Sequence, residues 1–256
     1  MTTFFRNGFV KRVLAPVVVF GALSWAYFQQ EYPTCTFRYK LTAEIMTPAG
    51  LKSGSSVIEV NYRRGGDWGG GPHGERWATG EAVYVDLGHG KNLFVLLSNR
   101  ESGRNDLVGD TSRSYDHAKG ALDAFALPIK VFGLTWKFGQ EKRLCKELNV
   151  ASTNTKREVP FDNLPTLVTF ADVFDPKSVR VVQPERFETD FGVGYKFLRA
   201  RIEPTTHVPT ESIEGILHWL PQQEQHWLEM GGIGGGPLID DLWYDSFLVP
   251  VNWKKK

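Results

Sequence analysis

Six histidines, His73, His89, His117, His207, His218 and His226, are the side chains best suited to acid–base or metal chemistry, and their spacing organises neither. The chain holds no His-Glu-x-x-His and no Gly-x-Ser-x-Gly, so the common zinc-hydrolase and serine-nucleophile signatures are excluded. Asp116 and His117 are adjacent and point different ways on a helix, which makes them a solvated pair rather than a dyad. Asp86 and His89 flank what reads as a hairpin tip, where their types suit a turn better than proton transfer. Asp240-Asp241 carries enough charge for a cation, but paired acids ahead of an apolar segment more commonly start a helix or turn. No cofactor fingerprint is present, and no catalytic or metal residue is assigned.

Two glycine-rich strings offer a different chemistry. Arg63-Arg64-Gly65-Gly66-Asp67-Trp68-Gly69-Gly70-Gly71-Pro72-His73-Gly74 and Gly231-Gly232-Ile233-Gly234-Gly235-Gly236-Pro237 could turn several backbone N–H groups toward one anion. Neither has the ending of a P-loop or the strand–helix setting of a dinucleotide site, so a plain connector is the competing reading. Of the eight tryptophans, four fall in the last forty residues. Trp68 and His73 on the first string, with Trp227, Trp243 and Tyr244 near the second, form the expected ligand or partner surface, because aromatics make good interface anchors.

Residues 1–30 stand apart from the rest. Arg6, Lys11 and Arg12 precede sixteen uncharged residues, Val13 to Phe28, ending in Trp25, Tyr27 and Phe28. A basic lead before an apolar run is a targeting segment. As an uncleaved transmembrane anchor it places the N-terminus in the cytoplasm and the remainder outside, since the positive charges sit on the short side. As a signal peptide it is cut near Ala22-Leu23-Ser24, although Pro16 and the bulky residues after Ser24 make a poor cleavage region. Tyr32-Pro33-Thr34 before Cys35 is not the small-residue box that lipidation needs.

Beyond position 30 lie 27 basic and 29 acidic residues, a balance of about −2. That offers no broad footprint for nucleic acid. The expected partners are membrane lipid, through the N-terminal helix, and an envelope protein. The two cysteines, Cys35 and Cys145, are unrelated thiols in a reducing compartment and one bridge in an oxidising one; spacing does not decide whether they meet.

Period-two patterning dominates the elements that must position these groups. Phe37, Tyr39, Leu41, Ala43 and Ile45 alternate with polar residues, and Ile58, Val60 and Tyr62 continue the pattern after a connection of about seven residues through Thr47-Pro48-Ala49-Gly50. Val83, Val85 and Leu87 lead through Gly88-His89-Gly90-Lys91-Asn92 to an apolar run, Leu93 to Leu97, a second hairpin. A polar loop follows to Arg113. A helix is expected from Ser114 to Leu127, ended by Pro128, then a strand from Ile129 to Phe138 and a short helix from Glu141 to Leu148. Further strands are expected at 166–170, 179–182 and 195–202, helices at 184–191 and from a Thr210 cap to Leu220, and a closing strand at 242–247.

The wording Tyr39-Lys40-Leu41-Thr42, Thr47-Pro48-x-Gly50 and Ser53-Gly54-Ser55-Ser56-Val57-Ile58-Glu59-Val60 resembles bacterial, proteobacterial-type envelope proteins of unassigned function. The resemblance implies a bacterial setting and carries no activity. The expected fold is α+β, mainly antiparallel hairpins with a few short helices, behind one N-terminal transmembrane or signal helix. The expected organisation is residues 1–30 as anchor or signal and 31–256 as an exported β-rich domain, with any subdomain boundary at 150–163. The leading function is a non-enzymatic, inner-membrane-anchored module whose periplasmic domain binds a partner protein or cell-envelope component. The alternative is an exported periplasmic hydrolase with loop-borne catalytic residues, the reading that a cleft gathering two or more of Asp86, His89, Asp110 and His117 would favour.

Overall fold

The computed structural model describes residues 34–64, 74–97, 123–137, 139–151, 155–221 and 247–249. The targeting segment, the polar loop, residues 114–122, the second glycine-rich string, the first apart from Arg63, Arg64 and Gly74 at its ends, and the 242–246 aromatics lie outside the described residues.

Two antiparallel sheets make up an α+β fold with few short helices. The larger has the order β10-β3-β2-β1-β9-β6, built from β1 (Thr34–Thr47), β2 (Gly50–Arg64), β3 (Gly74–Glu81), β6 (Arg157–Val159), β9 (Lys196–Pro204) and β10 (Leu248–Val249). The smaller has the order β4-β5-β7-β8, from β4 (Val83–Gly88), β5 (Lys91–Val95), β7 (Leu167–Phe170) and β8 (Val179–Val182). Helices α1 (Ala126–Val131), α2 (Glu141–Ala151) and α3 (Phe187–Phe191) are short.

The first hairpin closes more tightly than its sequence suggests. Thr47 pairs with Gly50, leaving only Pro48 and Ala49 as the turn. The Thr47 hydroxyl accepts from Ala49 N and donates to Gly50 O, at 3.2 and 2.8 Å, and Gly50 takes φ +109°. The polar stretch 51–56, which reads as connection, is strand because β4 crosses it at van der Waals range. A Cβ on Gly54 would lie 1.9 Å from the Tyr84 carbonyl oxygen, so small residues there are what the crossing demands.

The second hairpin follows its turn chemistry. Asp86 Oδ1 accepts from Gly88 N at 2.8 Å, and His89 and Gly90 both take positive φ, the conformation of a two-residue hairpin turn. From Leu93 onward its return strand is apolar because both faces of the smaller sheet are covered. Val83, Val85, Leu87, Leu93 and Val95 pack against β1 and β2, whereas Phe94, Leu96, Val168 and Phe170 pack against Ile213, Leu217, Trp219, Leu220 and Phe247.

Three expectations are corrected. Pro128 does not end a helix; it is the third residue of α1, where its missing N–H has no intrahelical acceptor to lose. The strand expected at 129–138 does not form over its described residues, 129–137: Ile129–Val131 completes α1, and Leu134 N to Ile129 O with Gly133 N to Lys130 O closes it as a Schellman stop on Gly133. The helix expected from Thr210 is a 3₁₀ turn, Ile213–Gly215, and further tight turns. Thr210 instead extends β2's bonding, its N donating to Val57 O and its hydroxyl accepting from Val57 N at 3.2 and 3.1 Å. The 150–163 stretch supplies β6, which pairs with β9.

Candidate functional site

The end of the larger sheet where the described chain begins concentrates its unusual chemistry. Thr34 pairs with Arg63 and Cys35 with Tyr62, so the start of β1 lies beside the point where β2 runs out toward the first glycine-rich string. Arg64 pairs with Gly74, which brings the string's two ends together at that same edge. Cys35 faces inward and is bonded to Cys145 in the middle of α2, with 5.3 Å between their Cα atoms and 110 residues between them in sequence. Closing so long a loop stabilises the fold by about 4–5 kcal/mol in the chain-entropy account.

Beneath the disulfide two fully buried phenols tie the sheet to the segment that crosses it. Tyr39 donates to Ala124 O at 2.8 Å and Tyr62 to Phe125 O at 2.6 Å. Asp123 Oδ1 accepts from Phe125 N and Ala126 N at 3.1 and 2.8 Å and so holds the start of α1. Burial drives both phenols well above the usual tyrosine value, and the Asp123 charge adds to it. Buried Arg76, its guanidinium carbon 5.4 Å from the Phe125 ring centroid, pulls Tyr62 the other way by a smaller amount. Both phenols stay protonated at neutral pH; they donate hydrogen bonds and do not act as bases. Trp136 packs on Tyr62 at 5.5 Å.

Around this buried cluster the exposed rim is basic and aromatic. The Arg63 guanidinium lies 5.6 Å from the centroid of half-buried Trp77. Lys142, Arg143 and Lys146 stand on the exposed side of α2, within a turn of Cys145. The outer face of the same sheet carries ion pairs of its own. Glu44, only 9% exposed at its side chain, accepts from Arg199 at 2.7 Å and from Arg201. Arg38 bonds Glu59 at 2.6 Å, and Lys156 meets Glu203 at 3.2 Å.

Two further carboxylates and an amide have structural duties. Glu81 accepts from Ser212 N, from the Ser212 hydroxyl at 2.9 Å and from Ile213 N at 2.6 Å, capping the 3₁₀ turn. Glu141 accepts from Gly139 N at 3.0 Å. The Asn92 amide clamps β5 to β7 through Phe170 O and Phe170 N, both at 2.8 Å.

Of the residues singled out from sequence, Cys35 and Cys145 are brought together. Asp86 and His89 build a turn. Trp68, His73, Trp227, Trp243 and Tyr244, like Asp110, Asp116, His117, Asp240 and Asp241, lie outside the described residues. Among the described residues no group of His, Cys, Asp and Glu is arranged to hold a metal ion, and no helix is long and apolar enough to cross a membrane. Sequence reasoning passed over Tyr39, Tyr62, Arg76, Glu44 and Glu81. For Tyr39, Tyr62 and Glu44 the one signal was a polar group inside an alternating strand; Arg76 and Glu81 lie in β3, which carried none, and Tyr39, Tyr62, Glu44 and Glu81 bond residues far away in the chain.

A scan against protein-family models and searches of curated proteins and of solved structures matched nothing to this chain.

Proposed function

We propose that this chain is a single-pass bacterial envelope protein: an N-terminal helix anchors it in the inner membrane, and its α+β domain stands in the periplasm and binds a partner protein or envelope component without catalysing a reaction. The observation that carries the reading is the Cys35–Cys145 disulfide, which suits an oxidising compartment, taken with the basic-then-apolar segment that precedes β1. The buried acids Glu44, Glu81 and Glu141 each accept hydrogen bonds that hold elements together, which supports a binding role over a catalytic one. The partner surface on this reading is the aromatic set Trp68, His73, Trp227, Trp243 and Tyr244 on and beside the glycine-rich strings.

The test is a pull-down of the full-length protein from gently solubilised membranes, with N-terminal sequencing of the recovered chain. A stoichiometric companion on a chain starting at Met1 or Thr2 is the expected result. Recovery alone, with a new terminus near Trp25, overturns both anchor and assembly and points to a cleaved periplasmic protein.

A further inference from the structure

We propose that Cys145 is the sulfur through which the folded domain exchanges its disulfide with a dithiol oxidoreductase docking on the exposed flank of α2, and that Cys35 is the shielded sulfur that leaves and returns. The inference rests on the disulfide that carries the reading above, and adds to it a site of covalent exchange and the chemistry of the partner that uses it.

Access separates the two halves of the bond. Cys35 is 1% exposed; it shares the inner face of β1 with Phe37 and Tyr39 and belongs to the main apolar cluster. Cys145 is half-buried. In α2 the buried positions are Glu141, Leu144 and Leu148, whereas Lys142, Lys146 and Asn149 are exposed, and Cys145 lies on the boundary between the two sets. Mid-helix backbone is enclosed by its own turns, so the exposure of Cys145 comes chiefly from its side chain. Exchange requires the attacking thiolate to touch a sulfur, and which sulfur it attacks follows access. A thiol that meets the folded domain therefore reaches Cys145 Sγ, while sheet and helix shield Cys35 Sγ.

The atoms and electrons balance with a dithiol as the reductant. Its first thiolate bonds Cys145 Sγ as the Cys35–Cys145 bond breaks, and Cys35 departs as a thiolate that takes up a proton, because apolar burial favours the thiol. Cys35 stays beside Cys145, their Cα atoms having stood 5.3 Å apart, so it can return and expel a partner that has only one thiol. The second thiolate of a dithiol competes with that return. It attacks the partner's own sulfur in the mixed disulfide, Cys145 is released as a thiolate and protonated, and the partner closes to a disulfide. Run in reverse, the Cys145 thiolate attacks the partner's disulfide and Cys35 closes the bond. The mixed stage needs no unfolding, since β1 keeps its pairing with β2 and Leu144 and Leu148 keep their places in the apolar cluster.

The experiment uses the unaltered full chain in detergent with a large excess of reduced glutathione as the probe. Exchange is stopped with acid, free thiols are alkylated, and the position of the glutathione adduct is read by peptide mass spectrometry. The folded chain should carry at least about tenfold more adduct on Cys145 than on Cys35, and in urea the ratio should fall toward unity. Equal adduct on the two cysteines of the folded chain, or an excess on Cys35, overturns the proposal. So does a folded chain that takes no adduct under conditions where the unfolded chain takes it on both. Two free thiols before any glutathione is added would overturn the exported reading and this inference with it; a closed bond with the wrong selectivity overturns this inference alone.

Discussion

The two faces of the smaller sheet are both buried, yet they are held by different physics. Toward the larger sheet the apolar packing is joined by fixed ties: a disulfide fastens β1 to α2, and two phenol-to-carbonyl bonds with the Asp123 cap hold residues 123–126 over Tyr39 and Tyr62. On the other face Phe94, Phe170, Trp219 and Phe247 pack ring on ring, with centroids 5.3 to 6.2 Å apart, and the covering turn is held by Glu81. Directional ties specify where an irregular segment sits; apolar burial stabilises it without specifying its path.

That contrast can be broken by mutation. The largest effect belongs to the covalent tie: replacing Cys35 and Cys145 together with serine should cost about 4–5 kcal/mol in denaturant unfolding, reproduced by reductant on the unaltered protein. Phe170→Ala should cost about 3–5 kcal/mol through the cavity left among its neighbouring rings. Because the two sites lie on opposite faces, their effects should add to within about 0.5 kcal/mol. A larger coupling would show that the two faces respond as one unit and end the distinction.

Tyr62→Phe should cost about 1–3 kcal/mol by stranding the Phe125 carbonyl, and it carries a pH signature. The folded state holds both phenols above the ordinary tyrosine value, so stability from the neutral phenols is fully present below about pH 10 and falls as pH rises beyond it. The slope is about 1.4 kcal/mol per pH unit for each phenol, and Tyr62→Phe should halve it. An unchanged slope would place the alkaline weakness elsewhere. The smallest effect is at the hairpin tip, where Leu51 is 56% exposed and Leu51→Lys should shift stability by no more than about 0.5 kcal/mol.

Much of the strand pattern was readable before any coordinates, and the reasons are local. Alternation marked β1 and β2, and Asp86 with the Gly88-His89-Gly90 turn marked the second hairpin. What escaped was set by distant partners. Residues 51–56 look like linker until β4 is laid across Gly54, and β3 is too polar and glycine-bounded to declare itself without β2 beside it. Thr210 has the chemistry of a helix cap but is engaged by Val57, 153 residues away. The acids Glu44 and Glu81 meet partners 155 and 131 residues off, which no local window contains. The aromatic partner surface read from sequence lies outside the described residues, so the site described joins the two cysteines that the sequence marked to buried groups that it did not.

The most direct test of the account is the state of the two cysteines in the cell. Full-length protein is trapped by acid from intact cells and treated with a thiol-reactive mass tag before and after reduction. An exported domain fastened at its entry strand takes no tag until reductant is added, then two. Two tags before reduction would place both thiols in a reducing compartment and contradict the exported, disulfide-tied reading outright.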